Sequence, residues 1–386
     1  MEILLAFFTI FMFSIKNIYI LNILWIIYMT YLFAMSRVKL DGKKNIIYLG
    51  IFYLWCLFSI IVYNVMFYKI QFRQILSLIF MFQYVFFDIK IYINKKLLYN
   101  WIVRWAIVLS IYILGIFIYK GYFRQLAYWE GLIRFWGRGY IPGFPTNVVV
   151  PMLFSLFLAI YLNKNIAVKL LLSLAIFIVP SRAGQLGMII IWMYFFIKYP
   201  KKKRIIIPGM ILIIVVLCFF GSRISEIVNG LFIRYRLDSN GDRESIIRVV
   251  FQLFKKSPII GYGGNTLDTL AIIIPSSLDE RFNWAHTHNW FFEMLIRYGI
   301  VGCGLFTGYL IRIVLKIKDR AKMFFVIFLL GIGLLQTYMQ NFVYIFIIMS
   351  MVCLYDVKEI DKNEKNEDES FIVKKLRSKI KCLKIQ

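Results

Sequence analysis

The stretch Ala285-His-Thr-His-Asn-Trp-Phe-Phe-Glu-Met-Leu-Ile-Arg-Tyr-Gly-Ile-Val-Gly302 runs from a polar loop straight into an apolar span, and it holds the only two histidines of the chain, His286 and His288. Apolar runs of about 15 to 24 residues recur along the rest of the sequence, close to the roughly 20 residues with which a helix crosses the hydrocarbon core of a bilayer. The alternating ten-residue pattern of a transmembrane barrel is missing, so the spans read as helices. Composition agrees: 61% of the 386 residues are hydrophobic and 18% aromatic, and the mean hydropathy is +0.74, beyond the range of soluble globular domains. The expectation is an all-α polytopic membrane protein.

Spans are expected near residues 2–15, 18–35, 46–67, 74–89, 97–118, 144–162, 166–180, 183–198, 205–221, 289–315, 323–336 and 341–355, about twelve helices in one transmembrane domain over 1–355. The formal net charge is +26. In a soluble protein that excess would suggest nucleic acid, but here the lysines cluster between spans and read as topology signals. The segments Arg37 to Lys44, Lys90 to Lys96, Lys164, Lys198 to Arg204 and Lys316 to Lys322, with the tail from Lys358, fall on one side under this count. The positive-inside rule makes that side the cytoplasm, with both termini there. The opposite side receives loops 119–143 and 222–288, and residues 356–386 form a charged cytoplasmic tail. The run from Met1 to Ile15 has an acidic Glu2, no basic leader and no small-residue cleavage site, so a retained first helix is expected. Cys56, Cys218, Cys303 and Cys353 lie in apolar spans and Cys382 in the basic tail, a distribution that gives neither a disulfide framework nor a CxxC metal pattern.

The outer loops use arginine where the inner segments use lysine: Arg124, Arg134 and Arg138 in the first, then Arg223, Arg234, Arg236, Arg243, Arg248 and Arg281 in the second. Guanidinium forks match phosphate oxygens two at a time, so this bias points to an anionic ligand outside, with lipid headgroups as the alternative for any single arginine. Within 222–288, Ile246, Ile247, Val250, Leu253 and Phe254 fall on one helical stripe, with Arg248, Gln252 and Lys255 away from it. This pattern predicts an interfacial helix, capped by Asp242 and ended by Pro258, Gly261, Gly263 and Gly264. Pro180-Ser-Arg-Ala-Gly-Gln-Leu-Gly187 opens another span at the same face. A charge entering a span needs a partner or ligand, which raises Arg182 above a loop arginine as a site candidate, while Ala183, Gly184 and Gly187 are small enough for close helix contact. His288, at the mouth of its helix, titrates near neutrality and suits the removal of a proton from a hydroxyl, with an interfacial bystander as the alternative. The His-x-His spacing also suits zinc, but a third histidine and a loop cysteine are missing, Asp279 and Glu280 being the nearest other donors, so no metal and no cofactor are expected.

These three elements, in order, resemble the O-antigen ligase and polymerase superfamily of multispanning bacterial membrane proteins: Ser181-Arg182-x-Gly184, then Arg243 with Pro258, Gly261 and Gly263, then His288-Asn289-x3-Glu293 followed by Gly299 and Gly302. The resemblance covers roughly residues 145–320, and Ile247 stands where such proteins often carry tryptophan. It implies a metal-independent integral-membrane glycosyltransferase on the outer face of the cytoplasmic membrane, acting on a polyprenyl (undecaprenyl) diphosphate-linked oligosaccharide. His288 would be the general base, Arg243 and Arg182 the clamp on the diphosphate, and Arg248, Glu293, Asn289, Gly261 and Gly263 further substrate contacts. His286, without a counterpart in the family pattern, joins that set. Arg134, Arg138, Trp129, Trp136 and Tyr140 would line the glycan path, or form an interfacial aromatic belt.

The leading expectation is a polymerase of lipid-linked repeat units for capsule, exopolysaccharide or O-antigen, with a ligase to lipid A core as the nearest rival. Membrane lipids, a chain-length regulator and a flippase of the same pathway are the expected partners, and nucleic acid is not. A flippase or transporter of lipid-linked sugars is the reading from another class. It would place charges deep in the spans, where Arg104, Asp88 and Lys90 are the few candidates.

Overall fold

The computed structural model describes residues 2–11, 27, 38–40, 43–67, 89–116, 145–179, 181–198, 241–265, 289–333, 347–348, 351 and 354–355. Nine helices dominate the described residues: α1 (Glu2–Phe11), α2 (Lys43–Phe67), α3 (Lys95–Ile116), α4 (Pro145–Tyr161), α5 (Ile166–Ile178), α6 (Arg182–Lys198), α7 (Gly241–Lys256), α8 (Trp290–Leu315) and α9 (Arg320–Gly333). Three of them are long and apolar enough to cross a membrane, over Ile47–Val65, Lys95–Ile116 and Trp290–Leu315. The chain is therefore an integral membrane protein built of helices. The spans expected at 18–35, 74–89, 205–221 and 341–355, and most of the two outer loops, lie outside the described residues except at scattered positions.

One addition to the all-α expectation is a small sheet in which β1 (Val38–Leu40) pairs antiparallel with β2 (Ile89–Tyr92), and β2 pairs parallel with β3 (Leu354–Tyr355). Val38-Lys-Leu40 and Ile89-Lys-Ile-Tyr92 alternate apolar and basic residues, the two-residue period of a strand, and Ile91 is buried. The strands thus take Ile89 and Leu354–Tyr355 from the ends of two expected spans.

Contacts between helix ends sort the chain. The Asn94 amide donates to Glu2 Oε1 at 3.1 Å, Lys164 Nζ donates to Asn100 Oδ1, and the Tyr161 hydroxyl donates to Asp319 Oδ2 at 2.6 Å. Lys322 lies over the rings of Tyr99 and Tyr161. Lys198, at the end of α6, donates to Tyr194, whose ring stacks on Phe324 of α9 at 3.7 Å. The described parts of the lysine-rich segments thereby gather at one end of the bundle. Asp319 also caps α9, accepting from the amides of Ala321 and Lys322. Burial acts to raise its pKa, but those bonds, the one from Tyr161 and the Lys322 charge outweigh it and hold the carboxyl below its ordinary value.

Helix α4 lies in the middle of the packing, with Val148, Met152, Leu153, Phe154, Leu156, Phe157, Leu158 and Ala159 all buried against α3, α5 and α6. Phe157 stacks on Phe325 at 4.3 Å. The α4–α5 turn closes through Asn163 in the left-handed region and the Asn165 side chain, which accepts from the Ala167 amide to cap α5.

The feature that shapes the rest is a break in α8. Gly299 has φ 66° and ψ −171°, a conformation all but closed to residues with a Cβ. The break frees the carbonyls of Ile296, Arg297 and Tyr298 from their usual partners four residues on. The turn after α7 inserts there: Tyr262 N–H donates to Ile296 O at 2.9 Å, Gly264 N–H to Arg297 O at 3.1 Å, and Ile300 N–H donates back to Pro258 O at 2.8 Å. From α2, Trp55 Nε1 donates to Tyr298 O at 2.9 Å, and the Ser59 hydroxyl to Ile260 O at 2.7 Å. Interrupted backbone is tolerated at membrane depth where protein, rather than lipid, supplies such partners.

Gly299→Ala is expected to lower the unfolding free energy by about 3 kcal/mol or more, since the new Cβ is strained and meets the Ile259 carbonyl. Gly304→Ala, whose Cβ meets nothing within 4 Å, should leave stability unchanged or raise it by up to about 1 kcal/mol. Thermal unfolding of the two variants in detergent micelles compares them. The depressed Asp319 pKa adds stability that is complete above the unfolded value of about 4 and fades as pH falls through the folded one. Asp319→Asn should therefore flatten the acid limb of a stability-against-pH curve and leave its slope near neutrality unchanged.

Candidate functional site

Ser181 begins the first of the three motif elements, and its role is structural: the buried hydroxyl accepts from the Gly184 amide at 3.2 Å and caps α6. The cap sets Arg182 as the first residue of the helix. The small residues behind it let α6 close on its neighbours, for a Cβ on Gly184 would enter Val149 of α4, and one on Gly187 would meet Leu153 and, on α9, Phe328.

Helix α7 spans the interfacial helix expected in the second loop, but its buried face differs from the expected stripe. Ile246, Val249, Val250 and Leu253 are buried, whereas Ile247 is 40% exposed. The face is set by what it docks on. Its residues pack with Tyr63 of α2, Tyr262 and Ile296 of α8, with Phe292 at the edge, so the stripe turns toward α8 instead of lying wholly on lipid. Arg248 points away from this face and is exposed. Tyr262 then donates through its hydroxyl to Leu253 O at 3.0 Å, tying the turn back to the end of α7.

Gly261 and Gly263, expected as substrate contacts, have a packing role. Gly261 has φ 75° and Gly263 φ 60°. A Cβ on Gly261 would meet the backbone of Gly299 and Ile296, and one on Gly263 the Cβ of Tyr63. Gly302 likewise leaves room beside Tyr298 of its own helix for Trp55 of α2 to close on α8. The Pro258 to Gly264 block and the break at Gly299, separate in sequence, are thus two halves of one backbone contact.

The third element opens α8. Asn289 is its cap, its amide oxygen accepting from Phe291 N at 2.9 Å and Phe292 N at 3.2 Å. One turn on, Glu293 is buried and accepts at Oε1 from both Nε and Nη2 of Arg297, at 3.0 and 2.6 Å. The two side chains are 5% and 2% exposed, which makes this a buried ion pair inside a span. Arg297 escaped sequence reasoning although the signal was there: a basic residue four positions after an acid in an apolar helix.

Geometry relates the three elements. Gly187 of α6 abuts Phe328, and Trp290, at the start of α8, donates through Nε1 to Leu330 O at 3.1 Å. The starts of α6 and α8 therefore meet the same half of α9, while α7 docks on Phe292 and Ile296. His286 and His288 lie outside the described residues, and Arg182 and Arg243 are placed by their backbones alone. Arg104, one of the deep-charge candidates for transport, is on an exposed face of α3 with its guanidinium 4.7 Å from the Trp101 ring centre. Asp88 lies outside the described residues, and Lys90 is in β2.

Glu293→Ala would leave Arg297 charged and buried without its carboxylate. A loss of about 3–5 kcal/mol in stability is expected, read as a lowered melting temperature of the purified protein.

Among curated proteins none matches the chain. Residues 167–307 match the family model described as O-antigen ligase. That segment runs from the first turn of α5 into the middle of α8, and it takes in Arg182, Arg243, the glycine turn, His288, Glu293 and Arg297. The match supports the resemblance of this membrane protein to the O-antigen ligase/polymerase superfamily.

Proposed function

We propose that the protein is a polysaccharide polymerase that joins lipid-linked repeat units on the outer face of a bacterial cytoplasmic membrane. Members of the matched family are glycosyltransferase-like membrane enzymes that act on lipid-linked oligosaccharides. The observation that carries the reading is the meeting of α6, α7 and α8, the helices of the three motif elements, around the first half of α8 and the last half of α9.

In the proposed reaction an acceptor hydroxyl oxygen bonds to the anomeric carbon of the donor, and its proton passes to His288. The bond from that carbon to the diphosphate oxygen breaks, and the electron pair leaves on the polyprenyl diphosphate. Diphosphate is already a good leaving group, so the protein's work is to orient the acceptor, take its proton and hold fixed cations against the charge that develops. Arg182 and Arg243 are assigned that last task, with Arg248 and His286 as outer contacts. Neither a metal nor a cofactor is required by this scheme. A flippase and a chain-length regulator of the same pathway are the proposed partners.

A ligase that transfers finished glycan to lipid A core is the second reading, favoured by the description of the matched family. Single repeats left attached in a deletion strain would identify the polymerase, and long polymer stranded on the carrier lipid would identify the ligase. His288→Ala is expected to abolish polymer while the protein is still made, and full-length product from that variant would sink the base assignment. Arg243→Lys should lose activity by about tenfold or more, because an ammonium cannot reproduce the guanidinium fork. Chelator should leave the rate unchanged; inhibition reversed by added zinc would replace this scheme with a metal site at His286 and His288. Flipping of lipid-linked sugar by purified protein in liposomes, without a new glycosidic bond, would overturn the enzyme reading.

A further inference from the structure

The buried pair Glu293–Arg297 asks for an explanation that stability does not give. Removing two charges from water costs several kcal/mol each, and a well-packed apolar pair of similar volume is often as stable or more so. Ionised groups inside spans mark sites for charged ligands or ions.

The position of the pair on α8 says which region it serves. Successive residues on a helix turn by about 100°. Phe292 and Ile296 mark the face of α8 that meets α7, and Trp290 marks the face that meets α9. Glu293 and Arg297, one turn apart, fall between those two faces, while Tyr298 looks the other way, onto Phe52 of α2. Glu293 and Arg297 are therefore on the side of α8 between α7, the helix of Arg243, and α9, against which Gly187 of α6 is packed.

We propose that Arg297 is a third guanidinium for the donor's diphosphate, held by Glu293 as its resting counter-ion on the side of α8 that lies between its faces toward α7 and α9. This rests on the donor reading above and adds a residue to it. An uncompensated cation there would be costly in the empty state, and the carboxylate supplies the compensation. When a diphosphate arrives, the guanidinium is already oriented and shares its donors with the phosphate oxygens, so little side-chain entropy is lost on binding. The Glu293 carboxylate keeps the total charge near the diphosphate below that of three bare arginines, which favours release of the carrier after transfer.

Binding of undecaprenyl diphosphate to the purified full-length protein in micelles tests this, with undecaprenol as the uncharged control. In the double variant Glu293→Gln/Arg297→Gln the charge is removed without leaving a lone buried ion. A melting temperature close to wild type combined with diphosphate affinity lower by about tenfold or more, and unchanged affinity for undecaprenol, is the expected result. A purely structural pair predicts instead that restoring stability restores binding, and wild-type diphosphate affinity in the double variant overturns the proposal. Should that variant not fold, Arg297→Lys with Glu293 intact carries the test: weaker diphosphate binding at wild-type undecaprenol affinity supports the role, and no change defeats it. Wild-type protein that fails to distinguish the diphosphate from undecaprenol would sink the donor reading and this inference together, whereas an effect absent only in the variants sinks the inference alone.

Discussion

The broken hydrogen-bond ladder at Gly299 is the constraint to which the end of the bundle that carries the motif elements answers. A helix interrupted in a membrane exposes carbonyls that lipid cannot satisfy, and each must find a donor. Here the donors come from the amides of Tyr262 and Gly264 and from the side chains of Trp55 and Ser59. The repair fixes the turn after α7 to α8, and with it the docking of α7 on Phe292 and Ile296. It also brings α2, two hundred residues and more away in sequence, onto the same contact. A local backbone requirement thus sets the position of a loop that would otherwise have wide freedom.

Two ends of the bundle are built by different chemistry. At one end lysines, tyrosines and the carboxylates of Glu2 and Asp319 tie the starts of α1, α3 and α9 and the end of α4, and a short sheet joins three chain segments. At the other end the links are small residues, caps and backbone contacts: Ser181 on Gly184, Gly187 on Phe328, Gly261 on Gly299. Contacts of the second kind bring helices together without placing charged groups in the seams between them. The buried charge that does occur there, Arg297, carries its own counter-ion.

The sequence made the helices legible wherever apolar runs were long, and the expected bounds of α2, α3, α5, α6 and α8 lie within a few residues of those found. The glycines illustrate the limit. Gly261, Gly263 and Gly299 stand out as a spaced set, yet nothing in the spacing says that they meet one another, because φ and backbone proximity are not encoded in residue type alone. The α7 stripe shows the same. Ile247 and Val249 are both apolar, and which of them is buried depends on the angle at which α8 presents Phe292 and Ile296. The sheet was hidden in segments whose lysines dominated the reading, although the alternation in Val38 to Leu40 and Ile89 to Tyr92 carried it.

Hydropathy and charge along the chain were enough to give a helical membrane protein whose basic segments belong together, and the motif spacing singled out three elements. Hydropathy, charge and capping act over a few residues, so a linear reading captures them. It took the packed chain to establish that the glycine turn repairs a broken helix, that Asn289 serves as a cap, and that Glu293 is neutralised by Arg297 on the side of α8 between α7 and α9. Those outcomes depend on which backbone groups lack partners and which helix faces meet, and such relations exist only once the chain is packed.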